Sequence, residues 1–322
     1  MLQKKLIRLA LIFFLFCSFF IGVIEKVLSQ QVFDLNFDAR VARPTYINEH
    51  PKVLFDEAHL NFHTTVGGYK PFVELITHDG YQVTPQKDKF QTKILANYDI
   101  LVIANALSTK EGLTAFTNEE CDVVRNWVRN GGSLLLIADH APFGAAAENL
   151  SMRFGVQMSK GFTIDMSHYD TESGNPGWLF FTRDHKLLAT HPITQGRNVT
   201  EWINRVLTFT GQSLKGPDGS IAFLRLADTA VDLKQRISKA QALPPNAGVS
   251  AAGKAQGIAL QYGKGRVVVL GEAAMLSAQL ITGPVAQQLM GKDVIQMGMN
   301  HAGLDNRQLA LNIMHWLSKL LN

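Results

Sequence analysis

The chain reads as an α/β protein, with a mainly parallel sheet layered between helices and a β-rich insertion. Three observations predict it. Short apolar runs that end abruptly in an acid, amide or imidazole recur at 52–56, 99–104, 133–138 and 265–271. Stretches with helical periodicity and helix start and stop signals alternate with them, the pattern of right-handed βαβ units. This order loosens between about 156 and 256, where turn residues and strand-like runs prevail.

The elements follow in order. Lys52-Val-Leu-Phe-Asp56 is an apolar run closing on polar residues, as a parallel strand does where it meets its loop. Phe72, Val73, Leu75 and Ile76 mark a helix from about Tyr69 to Thr77, stopped by Asp79-Gly80, and Tyr81 to Thr84 forms a second strand. Asp99 to Ala104 is the third, with Asn105 at its end. Thr117-Asn-Glu-Glu120 is a capping box; its helix runs to about Arg129 and stops at Gly131-Gly132. Ser133 to Ala138 is the fourth strand, and Gly144 to Phe154 the next helix.

In the insertion, Glu172 to Gly177 reads as a turn, Arg205 to Thr210 and Ile221 to Leu226 as strands, and Leu243 to Lys254 as a mobile surface loop. Gly257 to Gly271 makes a hairpin about Gly263-Lys-Gly265. Glu272 follows, then a helical stretch to about Ile281. Asp305-Asn-Arg-Gln308 is a cap signature for an apolar helix through Leu309, Ile313, Trp316, Leu317 and Leu320, which packs on the sheet. The sum is a three-layer, flavodoxin-like sandwich with an insertion.

Residues 1–29 stand apart. Lys4, Lys5 and Arg8 precede sixteen uncharged residues, Leu9 to Ile24, and Ser29 offers a small residue at a cut site. This is a signal peptide or, because a bilayer span takes about 20 apolar residues, an uncleaved signal-anchor. The expectation is a periplasmic or secreted protein, held at a membrane only through residues 1–29 where they are retained. An extended segment over 30–50 then leads into a single domain over 51–322. Residues 1–29 carry Lys4, Lys5, Arg8 and Lys26 against Glu25, a net of +3, so the remaining chain falls from +4 to +1. No basic run with interleaved aromatics occurs, which excludes a nucleic-acid partner. Only Cys121 lies beyond the leader, so no disulfide framework forms. It shares helical spacing with Val124, Trp127 and Val128, as a core thiol does.

In open parallel sheets ligands bind beyond the carboxyl ends of the strands, near the point where strand order reverses. Residues just past the predicted strands are Asp56, Glu57 and His59, then Asn105, then Asp139 and His140, and finally Glu272. Any one of them suits a structural task, because strand-end carboxylates accept backbone N–H bonds and cap helices. Four segments delivering such groups to one edge argue for a binding or catalytic cleft. Acids and imidazoles move protons near neutral pH and equally ligate a divalent metal; the pattern names no cofactor and leaves the metal open. Asp56-Glu-Ala-His59 matches a helicase box in letters only, since the chain has no P-loop. His59 and His63 are four apart without the Glu of a zinc-protease motif. No Gly-x-Ser-x-Gly or Gly-x-Cys-x-Gly elbow occurs.

Asp56-Glu-Ala-His59, the run Gly131 to Gly144, His191-Pro-Ile-Thr, Phe209-Thr-Gly-Gln212, Gly265 to Ala274 and Met297-Gly-Met-Asn300 occur together over nearly all of 50–320. Their combination resembles an uncharacterised exported bacterial family of the class I glutamine-amidotransferase-like fold, alongside trehalose-utilisation-type proteins. The resemblance implies a fold and no reaction. It also exposes a departure: amidotransferases place a nucleophilic Cys on the turn after a strand, where this chain has Asp139 and His140. Glutamine hydrolysis through a thioester is therefore not expected. Two readings follow. One is a hydrolase of a small polar or carbohydrate substrate, with His140 and either Asp139 or Glu272 as base and acid. Asp56, Glu57, His59 and Asn105 then bind substrate, or the first three hold a metal. The other is a non-catalytic ligand-binding or interaction module of the cell envelope.

Overall fold

Successive residues of the central strands face two different cores. Val53, Phe55, Ile100, Val102, Leu135, Ile137, Val268 and Leu270 belong to one; Leu54, Leu101, Ile103, Leu134, Leu136, Val267 and Val269 belong to the other. A strand buried on both faces must read as a continuous apolar run rather than an alternation, which is why these segments stand out in the sequence. Burying each such side chain contributes roughly 1.5–3 kcal/mol.

The computed structural model describes residues 32–110, 113–244 and 247–322, so the leader expected at 1–29 lies outside the described residues. Its centre is a nine-stranded sheet in the order Gln82–Gln86, Lys52–Asp56, Ile100–Ala104, Ser133–Ile137, Gly265–Leu270, Ala255–Tyr262, Leu214–Lys215 and Gln157–Met158, with Ile221–Arg225 also paired to Ala255–Tyr262. The first five run parallel. Beyond Gly265–Leu270 the pairing is antiparallel. Helices Lys70–His78 and Asn306–Leu317 cover one face, and Asn118–Arg129 and Phe143–Met152 the other. The arrangement is a mixed α/β fold compatible with a flavodoxin-like one. Strand order reverses between Lys52–Asp56 and Ile100–Ala104, which makes that gap the switch point.

Local signals act as expected in several places. Thr117 Oγ1 accepts from Glu120 N at 3.2 Å while Glu120 Oε2 accepts from Thr117 N at 3.1 Å, closing the capping box. Gly131, at φ +128°, ends that helix. Cys121 is buried in the core beside Val124 and Val128. Within 156–256, Phe162–Ile164, Val231–Leu233 and Val249–Ser250 form one small antiparallel sheet, and Tyr169–Asp170, Asn175–Thr182 and Arg205–Leu207 another.

Two expectations are corrected. The stretch after Glu272 is a single 3-10 turn, Ala274–Leu276, followed by the strand Ala278–Thr282, which pairs with Val294–Gly298 and Val32–Phe33. Tertiary pairing overrides the helix propensity of Ala-Ala-Met-Leu there. Gly298, at φ +99°, permits the close approach, because a Cβ on it would lie 2.1 Å from the Ser277 carbonyl oxygen. Asp305 does not cap its helix with its side chain. Its Oδ2 instead accepts from the amides of Asn204 (2.7 Å) and Arg205 (2.9 Å), tying the helix to the insertion. Among the described residues no helix is long and apolar enough to cross a membrane.

Candidate functional site

The strands 133–137 and 265–270 are parallel neighbours, so Asp139 and Glu272 leave the sheet at the same end. Glu272 is fully buried; its two oxygens accept from the amides of Ala274 (2.6 Å) and Met275 (2.8 Å) at the start of the 3-10 turn. Burial, and then the charge of Asp139, push its carboxyl well above the usual range, against the backbone amides that favour the ionised form. Burial lifts Asp139 as well, to about 7, against the amides of His140 and Ala273 and the charge of Arg236. Asp139 Oδ1 accepts from His140 N at 2.7 Å. Its own amide donates to Asn105 Oδ1 at 3.0 Å, and Asn105 takes up φ +53° at the end of its strand. The structure thus brings Asn105, Asp139 and Glu272 together.

His140 is half-buried, with its ring stacked on Phe162 (4.8 Å, 29°) and 6.3 Å from Phe143. Its Nδ1 lies 2.7 Å from the Ala141 carbonyl oxygen. A carbonyl can only accept, so the neutral ring carries its proton on Nδ1 and keeps the lone pair on Nε2. Burial pushes its pKa down, and the Ala141 carbonyl only partly offsets this. His140 is therefore a neutral imidazole with a basic Nε2 beside a carboxyl that titrates near neutrality.

Asp56 and His59 belong to a second, closed cluster. Both oxygens of Asp56 lie within 3.0 Å of His59 Nδ1, and His59 Nε2 is 3.0 Å from Glu120 Oε1. Phe90 and Phe116 cover the imidazole at 4.8 and 4.6 Å. Burial alone would lower the His59 pKa, but the bonds to Asp56 and Glu120 outweigh it and the net shift is upward. Glu57, half-buried, accepts from the amide and hydroxyl of Thr65 at 2.8 and 2.7 Å. The loop after Asp56 lies across the switch point: Phe62 N donates to the Asn105 carbonyl and Leu107 N to that of His59, both at 2.9 Å.

Several neighbours of Asp139 carry no strand-end signal in the sequence. Gln212 Nε2 donates to the carbonyls of both Ala138 and Asp139 at 2.9 Å, while its Oε1 accepts from Lys160 N at 2.8 Å. The motif Phe209-Thr-Gly-Gln212 is the one trace of it in the chain. Tyr69 donates its hydroxyl to the Ala273 carbonyl at 2.7 Å. Burial, then the charges of Glu272 and Asp139, raise its pKa far above the ordinary value. His63 packs on Tyr69 at 4.6 Å, and burial lowers its pKa to about 4. His59 and His63 thus serve different clusters. Phe62, 67% exposed, packs near Phe143 at 5.9 Å and extends the aromatic surface around His140.

Among the described residues no group of three or more His, Cys, Asp or Glu could hold a metal ion. Cavities of about 700, 280 and 510 Å3 occur elsewhere, and none of the three is lined by Asp139, His140 or Glu272.

No protein-family model matches the chain, and no curated protein matches it in sequence. Solved structures are similar in fold. One, described as the mmIFT52 N-terminal domain, superposes with a TM-score of 0.55 at 15% identity, covering 83% of this chain and 97% of that one. A ThuA-like protein from Parabacteroides merdae gives a TM-score of 0.43 at 12% identity, over 85% of this chain and 91% of its own. A GMP-synthase-like protein from Thermoplasma acidophilum gives 0.42 at 9%, over 85% and 97%. Of these, the superposition on the mmIFT52 N-terminal domain supports a shared fold.

Proposed function

We propose that the protein is an exported, flavodoxin-like hydrolase of the class I amidotransferase-like type, acting on a small polar or carbohydrate substrate without a cysteine nucleophile. The observation that carries this reading is the pairing of His140, held neutral with Nε2 as its lone-pair nitrogen, with Asp139, whose carboxyl titrates at about 7. Groups with pKa values set apart in this way divide into base and acid.

In the proposed step, His140 Nε2 takes a proton from a water while the water oxygen bonds to the electrophilic centre of the substrate. The electrons of the scissile bond pass to the leaving group, which takes the proton of Asp139. Proton transfer from imidazolium to carboxylate through solvent then resets the pair. Glu272 has both oxygens on backbone amides and meets no substrate; it acts as a positioning residue that shapes the turn behind Asp139.

The test uses a panel of chromogenic glycosides and esters. The rate is expected to fall as pH rises through about 7, because Asp139 loses its proton, and to fall again on the acid side as His140 is protonated, below its ordinary 6.5. His140→Ala is expected to reduce turnover by about 100-fold or more. An unchanged rate in folded His140→Ala protein refutes the reading. A second reading, a non-catalytic ligand-binding module of the cell envelope, draws support from the closed Asp56–His59–Glu120 cluster and the occupied oxygens of Glu272. It predicts saturable thermal stabilisation by a ligand that is recovered unchanged.

A further inference from the structure

A separate cavity of about 700 Å3 opens at the other end of the sheet. Tyr262 pairs with Gly265 at the start of the strand that leads to Glu272, so the cavity at Tyr262 lies a strand's length away from Asp139. Its lining includes Phe154, His191, Asp218, Ser220, Gln261 and Tyr262, with Trp316 behind His191, and its volume falls in the range of small-molecule sites, roughly 300–1,000 Å3. We propose that this cavity binds a neutral mono- or disaccharide.

The argument begins with His191. Its Nδ1 accepts from Ile193 N at 3.1 Å, capping the short helix Pro192–Gln195. A nitrogen that accepts carries no proton, so the neutral ring presents Nε2–H, which makes no hydrogen bond with the described residues. Burial, then the charge of Arg266, lower the pKa of His191 to about 4, so it stays an uncharged donor at ordinary pH. The capping role of His191-Pro-Ile-Thr therefore leaves one polar atom unspent, and the cavity is what that ring lines.

Charge narrows the ligand. The guanidinium of Arg153, at the rim, is engaged by Asp122 Oδ1 (2.8 Å) and Asn118 Oδ1 (3.0 Å). Arg266 is engaged by the Trp316 and Leu321 carbonyls and Asn322. Among the described lining residues no spare cation is left for a phosphate or carboxylate, and Asp218 repels one. A cationic ligand meets the His191 N–H and the nearby guanidinium charges. A neutral ligand with many hydroxyls suits the rest: Asp218 and Gln261 accept, Ser220 accepts while its own hydroxyl donates to the Pro217 carbonyl, and aromatic surface lies alongside. Tyr262 stands edge-on to Phe154 at 5.1 Å and His191 edge-on to Trp316 at 5.2 Å, apolar walls for the C–H faces of a sugar ring.

Isothermal titration of the protein with glucose, maltose, cellobiose, glucuronate and glucosamine tests this. Two variants report on the cavity. In His191→Asn the amide oxygen can keep the cap while the Nε2–H is lost. Ile221→Trp fills the cavity from an edge-strand position that is 39% exposed. The expected result is saturable binding of a neutral sugar, equal at pH 5.5 and 8, weakened about tenfold in His191→Asn and abolished in Ile221→Trp. Absence of saturable heat with all three neutral sugars, tighter binding of glucuronate or glucosamine, or undiminished binding by folded Ile221→Trp overturns the proposal.

Discussion

Replacing Asp139 by Asn removes a charge from a place that resists it. The carboxyl is buried and its pKa rises from 3.8 to about 7. At 1.36 kcal/mol for each pH unit, ionising it in the folded state costs about 4 kcal/mol relative to the unfolded chain. The stabilisation is full below about pH 4 and is lost as pH rises through about 7, because the folded state holds the proton longer than the unfolded one. Asparagine keeps one acceptor for His140 N but loses the second oxygen that serves the Ala273 amide, worth about 1 kcal/mol. Asp139→Asn is therefore expected to be about 1 kcal/mol less stable than the native chain at pH 4 and about 3 kcal/mol more stable at pH 8. Loss of the Asp139 charge also eases ionisation of Glu272 in the variant, which adds to the gain at pH 8. Urea unfolding followed by far-UV circular dichroism across this range measures the difference. Parallel stability curves for the two proteins refute the reasoning, since they mean that Asp139 ionises as freely in the fold as in water.

The remaining predictions concern the other clusters. His59→Leu leaves Asp56 and Glu120 without their shared donor and is expected to cost about 3–5 kcal/mol. Because the folded pKa of His59 is raised, that deficit is largest at acid pH and shrinks as pH rises through it, which the same unfolding series reads out. Cys121 is buried, and burial raises its thiol to about 11, so a thiol reagent is expected to react only after unfolding. Cys121→Ala should lower stability by about 1–2 kcal/mol with turnover unaltered.

How much was legible depended on the range of the interaction. The capping box at Thr117 and Glu120 and the hairpin at Gly263–Gly265 are made within a few residues, and the chain states them directly. The stretch after Glu272 misled because its local preference is helical, whereas partners at Val294–Gly298 and Val32–Phe33 determine its form. At the candidate site, strand ends pointed to Asn105, Asp139 and Glu272. Nothing local separates Asp56 and His59, which meet Glu120, from that group. Tyr69 and His63 reach it from a loop and a helix start, positions with no recurring signature.

The sequence by itself determined the α/β class, the parallel strands and the end of the sheet where acids and imidazoles gather. Apolar runs and turn chemistry are properties of neighbouring residues. Only the tertiary structure decided which carboxylates stay ionised, which imidazole keeps a free lone pair and which polar groups are closed over by Phe90 and Phe116. Those outcomes depend on burial and on partners tens to hundreds of residues away, and such distances exist only once the chain has folded.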